Sequence, residues 1–186
     1  MGIYDASDRW TGLGSGLLTL CVRRYALKWL KEQDLIDQYD QFVISRTDLY
    51  YLDDHPDIET LLGGQNHVAI PFIHDQGWIP DRHAVTDRQG LYPYLGAADV
   101  FLQSVPMQSY HNIEHVLYTS LYNVHHLTPV RYLSPTYAVR ADEDGSCTWA
   151  LGEKRDSNGL WIKHFGDYRE ALLYVKFKAL LPYASH

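Results

Sequence analysis

The sequence predicts a single α+β domain in which helices come first and antiparallel strands follow. Three observations carry that expectation. Residues 17–31 repeat their apolar side chains at helical spacing, with Leu18, Val22, Tyr25 and Trp29 in one stripe. The middle of the chain, 65–96, loses periodicity under repeated prolines and glycines. Beyond Pro129 the pattern alternates, with turn residues at hairpin spacing. A chain of 186 residues fits one domain, since a domain takes roughly 150.

Taken in order, Gly12, Gly14 and Gly16 give a flexible lead into the first helix. They do not form a nucleotide loop, because no strand precedes TGLGSG and the dinucleotide fingerprint is incomplete. The 18/22/25/29 stripe is expected to face the core. Asp34 reads as the N-cap of a second helix with Leu35, Ile36, Tyr39, Phe42 and Val43 inward. A strand is expected at 47–52, closed by Asp53-Asp54-His55-Pro56, then a third helix at 57–62 stopped by Gly63-Gly64. The 65–96 stretch, with Pro71, Pro80, Pro93, Gly77, Gly90 and Gly96, reads as an irregular, lid-like segment whose Phe72, Trp78, Tyr92 and Tyr94 pack over something. Residues 100–105 read as a strand. After them, 132–141 and 146–153 form a hairpin across Asp142-Glu143-Asp144-Gly145, and Ser157-Asn158-Gly159 turns the chain into a strand at 160–165. Residues 168–181 alternate and read as the last strand. A helix is the other reading there, because Ala and Leu are frequent.

Composition narrows the function. A net charge of -7 argues against nucleic acid, since no basic cluster is available to neutralise a row of phosphates. No run approaches the roughly 20 apolar residues of a membrane span. The opening MGIYDASDRW lacks the basic and apolar regions of a secretory signal, so the expected location is cytoplasmic. Cys21 and Cys147 make no metal or redox spacing and read as small core residues. Fifteen tyrosines and five tryptophans exceed what a minimal core needs, and their polar tips suit either a pocket for an organic ligand or a partner interface.

The densest chemistry lies in 109–127, SYHNIEHVLYTSLYNVHHL, which holds His111, His115, His125 and His126. As a helix, His111, His115, Tyr118, Tyr122 and His126 share a face; as a strand, His111, His115, Asn123 and His125 do. Both readings align His111 with His115, and the β character of the later chain favours the strand. Histidine takes and returns protons near neutral pH, and a tyrosine polarises a carbonyl. His111-Asn-Ile-Glu114-His115 also spells H-x-x-E-H, a helical zinc-peptidase pattern, but the chain beyond it leaves little room for the frame such enzymes use. The other histidines are plainer: His55 and His83 sit in polar turns, His67 and His74 flank AIPFI, and His186 is terminal.

Three stretches carry a family resemblance. DLIDQYDQFVISRTDLY (34–50), the histidine-led start of 109–111, and VKFKALLP (175–182) resemble segments of the nuclear transport factor 2-like (NTF2-like) group, which includes ketosteroid isomerase, SnoaL-type polyketide cyclases and scytalone dehydratase. Together they make up 28 of the 186 residues. The resemblance implies a cone-shaped, curved antiparallel sheet with N-terminal helices enclosing a pocket, where small hydrophobic molecules are dehydrated, isomerised or cyclised without a cofactor. It also makes a homo-oligomer, built through the sheet face, the usual state. Only Tyr50 and His111 fall at positions resembling the family's active-site residues.

The expectation is therefore a cofactor-independent lyase or isomerase, with His111, His115, Tyr50, Asp48 and His126 catalytic, where His115, Asp48 and His126 come from spacing. Tyr25, Trp29, Tyr118, Phe72 and Trp78 are expected to line the substrate pocket, and no metal is assigned. Two other readings stay open: a non-catalytic binding or assembly module, and a metal-dependent hydrolase using His111 and His115.

Overall fold

A computed structural model describes residues 15–64, 66–72, 78–103, 112–140 and 154–180. Helix α1 (Ser15–Glu32) forms where the periodicity places it, but it faces the other way. Leu20, Arg23 and Leu27 are its buried side chains, while Leu18, Val22, Tyr25 and Trp29 are exposed. Both sets recur every three to four residues and lie on opposite sides of a helix that turns about 100° per residue. Periodicity alone does not say which set is inward, and the bulkier set turns out to be outside. Cys21 is exposed too rather than in the core.

Two four-stranded sheets follow. In the first the order is β1 (Gln41–Ser45), β4 (His83–Asp87), β3 (Val68–Pro71), β5 (Val130–Tyr132); only β3 and β5 pair in parallel. In the second the order is β2 (Leu49–Tyr51), β6 (Thr136–Arg140), β8 (Trp161–Ile162), β7 (Lys154–Arg155), all antiparallel. The chain passes between sheets three times, across 46–48, across 52–67 and across 133–135.

Three apolar clusters hold these layers. Helices α1, α4 (Arg88–Leu95), α5 (Ala97–Gln103) and α6 (Ile113–Tyr118) bring Leu20, Leu27, Leu91, Tyr94, Phe101 and Leu117 onto Val68, Ile70 and Ala84 of the first sheet. On its opposite face Ala69, Val85 and Tyr132 meet Leu61 of α3 (Ile58–Leu61), a helix capped by Asp57, whose side chain accepts from Thr60 N. Strand β3 is therefore buried on both faces, the arrangement in which alternation vanishes from the sequence. Helix α7 (Phe165–Leu180) lies on the second sheet through Tyr168 and Ala171, packed with Tyr137 and Ile162.

Several expectations are corrected. An NTF2-like cone needs one strongly curved sheet wrapped round a pocket; this chain divides its strands between two open sheets with dispersed helices, so the resemblance does not hold. Residues 113–124 are not a strand. They form α6 and a π-helical turn (Thr119–Val124), because Asn112 caps the start, its side chain accepting from His115 N at 2.8 Å, and Ile113, Val116, Leu117 and Leu121 recur at helical spacing in the core. Of the strands expected at 100–105 and 168–181, the described residues 100–103 and 168–180 lie in α5 and α7. Short helix α2 (Leu35–Gln38) follows Asp34, which sits at φ 55° without a side-chain cap, and Phe42 and Val43 belong to β1. Within the 65–96 stretch the described residues carry β3, β4 and α4. The expected hairpin tip at 142–145, with Cys147, lies outside the described residues.

Candidate functional site

The first passage between sheets assembles a chain of polar side chains. Antiparallel pairing sets Ser45 of β1 opposite His83 of β4. Strand β2 starts a few residues later, and alternation sends Tyr50 to one face and Tyr51 to the other. Tyr51 Oη lies 2.8 Å from Ser45 Oγ and 2.9 Å from His83 Nδ1. His83 Nε2 faces His55 Nε2 at 3.0 Å, and His55 Nδ1 is 2.7 Å from the Pro56 carbonyl. Tyr132 Oη, arriving from β5, stands 3.4 Å from His55 Nε2.

These contacts assign the protons. A carbonyl only accepts, so His55 Nδ1 carries a hydrogen and its Nε2 is the acceptor of the neutral ring. His83 Nε2 then donates to His55, which leaves His83 Nδ1 to accept from the Tyr51 hydroxyl. Tyr51 Oη in turn is free to accept from Ser45. All donors run one way, from Ser45 to the Pro56 carbonyl.

Burial grades the same line. Tyr51 is 36% exposed, whereas His83 is 2% exposed. Burial, with His55 beside it, pushes the His83 imidazole down to about 4, so it is neutral at physiological pH. Burial likewise pushes the Tyr132 phenol up, so it remains a hydroxyl.

A charged group braces this site. Arg46 N donates to the Arg82 carbonyl at 3.0 Å, extending the β1–β4 ladder by one rung. The Arg46 guanidinium forks onto Asp48 at 2.8 and 2.5 Å, and Arg82 donates to Asp167 of α7 at 2.5 Å. Arg23, buried in α1, donates to the Asp81 carbonyl and lies over the Tyr94 ring, 4.7 Å from its centroid. Nearby, burial and then Asp81 raise the Glu114 carboxyl. Residues 45–51 and 81–83, which carry Ser45, Tyr51 and His83, are thus tied down by these contacts.

Comparison with family models, curated proteins and solved structures returns no match. Among the described residues no group of three or more His, Cys, Asp or Glu is placed to hold a metal ion; His55 and His83 supply two imidazoles. Among the same residues no helix is long and apolar enough to cross a membrane.

The residues expected from sequence are scattered. His111 lies outside the described residues. His115, Trp78 and Tyr118 do come together, with ring centroids 4.4 Å apart for Trp78–His115 and 5.4 Å for Trp78–Tyr118. Asp48 is held by Arg46, and Tyr50 packs on Tyr137 while its hydroxyl accepts from Asn158 Nδ2 at 3.4 Å. Phe72 is exposed. His126 is exposed and sits at φ 55°, where it ends the π-helical turn as Leu127 N returns to the Leu121 carbonyl at 2.8 Å. That left-handed position suits glycine. His126→Gly is expected to leave stability unchanged or raise it by up to ~1 kcal/mol, read from the thermal midpoint.

Sequence reasoning missed Tyr51, His83, His55 and Tyr132. One local signal was present: HAVTD is rich in strand formers, and Asp87 followed three residues later by Gly90 marks a strand running into a helix start. Nothing local links His55 to His83 or Tyr132.

Proposed function

We propose that this chain is an acid–base catalyst, a cofactor-independent lyase or isomerase acting on a small hydrophobic organic molecule, with the Tyr51–His83–His55 line as its proton-transfer device. The observation that supports this reading is the unbroken one-way donor chain, whose links between the tyrosine and the two imidazoles measure 2.9 and 3.0 Å. At its outer end Tyr51 meets the substrate. It takes a proton from carbon next to a carbonyl while its own proton passes to His83 Nδ1, and His83 passes its Nε2 proton to His55. The positive charge then sits on His55, the less buried ring. Buried His83 does not keep the charge, and the proton can return along the same line, which suits isomerisation or elimination, where it goes back to substrate or leaving group.

Deuterium uptake from D2O at the α-carbon of a panel of cyclic and aromatic ketones, followed by proton NMR, tests this. Exchange above the buffer rate is expected, falling on the order of 100-fold in His83→Gln and in Tyr51→Phe. Exchange at the buffer rate across the panel, or unchanged rates in both variants, sinks the proposal.

A further inference from the structure

Among the described residues, the outward face of α1 is an apolar feature that neither the core nor the relay uses. Leu18, Val22, Tyr25 and Trp29 are 66%, 58%, 68% and 47% exposed. Their spacing of four, three and four residues is the seam spacing of a helix built to pair with another helix. Together they leave on the order of 450 Å² of mainly apolar surface in water, taking 150–250 Å² for a large side chain. A patch of that size on a single chain commonly marks an interaction site.

What covers it follows from its edges. The cations nearest the seam are already answered within the chain: Arg24 pairs with Asp99 at 2.7 Å, Lys28 with Glu32 at 3.6 Å, and Lys31 lies over the Tyr92 ring at 4.3 Å. Little free positive charge is left to attract an anionic membrane or an acidic partner. An apolar helix seam with neutralised flanks is satisfied by another of its kind. Laid antiparallel about a two-fold axis near Arg23 and Arg24, the seam matches itself, with Leu18 against Trp29 of a second copy and Val22 against Tyr25. The groove beside it, lined by Cys21, Arg24, Tyr25, Lys28, Lys31 and Asp99, then receives the second helix's flank. Two seams bury on the order of 900 Å², and the flanking residues carry the total past the roughly 1,000 Å² that a specific interface needs.

We infer that α1 is the contact of a homodimer formed by antiparallel pairing of two copies of this helix. This stands independently of the acid–base proposal. Light scattering on the full-length protein should give the mass of two chains at concentrations up to roughly 100 µM. Val22→Glu should shift it to the mass of one chain with an unchanged far-ultraviolet spectrum, and the milder Tyr25→Ser should weaken the dimer at least tenfold. A wild-type mass of one chain across that range overturns the inference, even if the face binds vesicles or an unlike protein. So does a dimer that both variants leave intact.

Discussion

Gly90→Ala is expected to destabilise the protein by about 3 kcal/mol or more, the cost of forcing atoms into a filled interior. In an ordinary exposed helix the same change stabilises by ~1 kcal/mol, so the sign itself is diagnostic. A Cβ at position 90 would lie 1.9 Å from the His67 carbonyl oxygen and 2.6 Å from Val68 Cγ2. The carbonyl has little room to retreat. It accepts from Asp87 N at 3.2 Å, His67 Nδ1 lies 2.6 Å from Asp87 Oδ2, and Asp87 Oδ1 caps α4 by accepting from Gly90 N at 2.8 Å. A clash there therefore disturbs the α4 cap and its contact with β3 together. Urea titrations of both proteins decide it: equal midpoints would show that helix and strand do not meet as closely as described.

Acidification from pH 7 to pH 4 should remove about 3 kcal/mol of stability through His83 alone. Its imidazole falls from 6.5 in the unfolded chain to about 4 in the fold. Between those values the unfolded state binds the extra proton and the native state does not, so stability drops as pH falls. The contribution is complete above pH 6.5 and is lost on the way down to about 4. Other groups act elsewhere or in the opposite sense. Lys178 draws the Asp53 carboxyl down, and that contribution is lost only below the usual carboxylate range. Glu114, raised by burial, favours the fold at lower pH and loses that contribution as pH rises. The difference between wild type and His83→Gln cancels both. Urea midpoints at pH 7 and pH 4 measure it, and a difference that does not change with pH would place His83 in a solvated environment.

Several local features were legible without tertiary information. The span of α1, the small helix behind Asp57 and the turn at Ser157-Asn158-Gly159 each carry their own punctuation, in helical spacing, a capping carboxylate, or a glycine, Gly159, at φ 83°. Asn112 was equally legible as a cap and would have turned 113–118 from strand to helix. Elsewhere alternation misled. Residues 168–181 alternate, yet Ala171 is the buried contact of α7, and helix-forming Glu170, Ala171, Leu172 and Leu173 outweigh a pattern most of which faces water.

By itself the sequence determined the mixture of helices and antiparallel strands, the places where several elements start, and a surplus of tyrosine and histidine beyond what packing needs. Only the tertiary structure decided which face of α1 is buried, how the strands divide between two open sheets, and that Tyr51 rather than Tyr50 joins the site. The reason is the range of the interactions. Caps and turns are settled within a few residues, whereas His55 meets His83 across 28 positions and Tyr132 across 77. A strand that slips by one residue exchanges every side chain between its faces, so the relay exists only because the β1–β4 and β2–β6 registers are what they are.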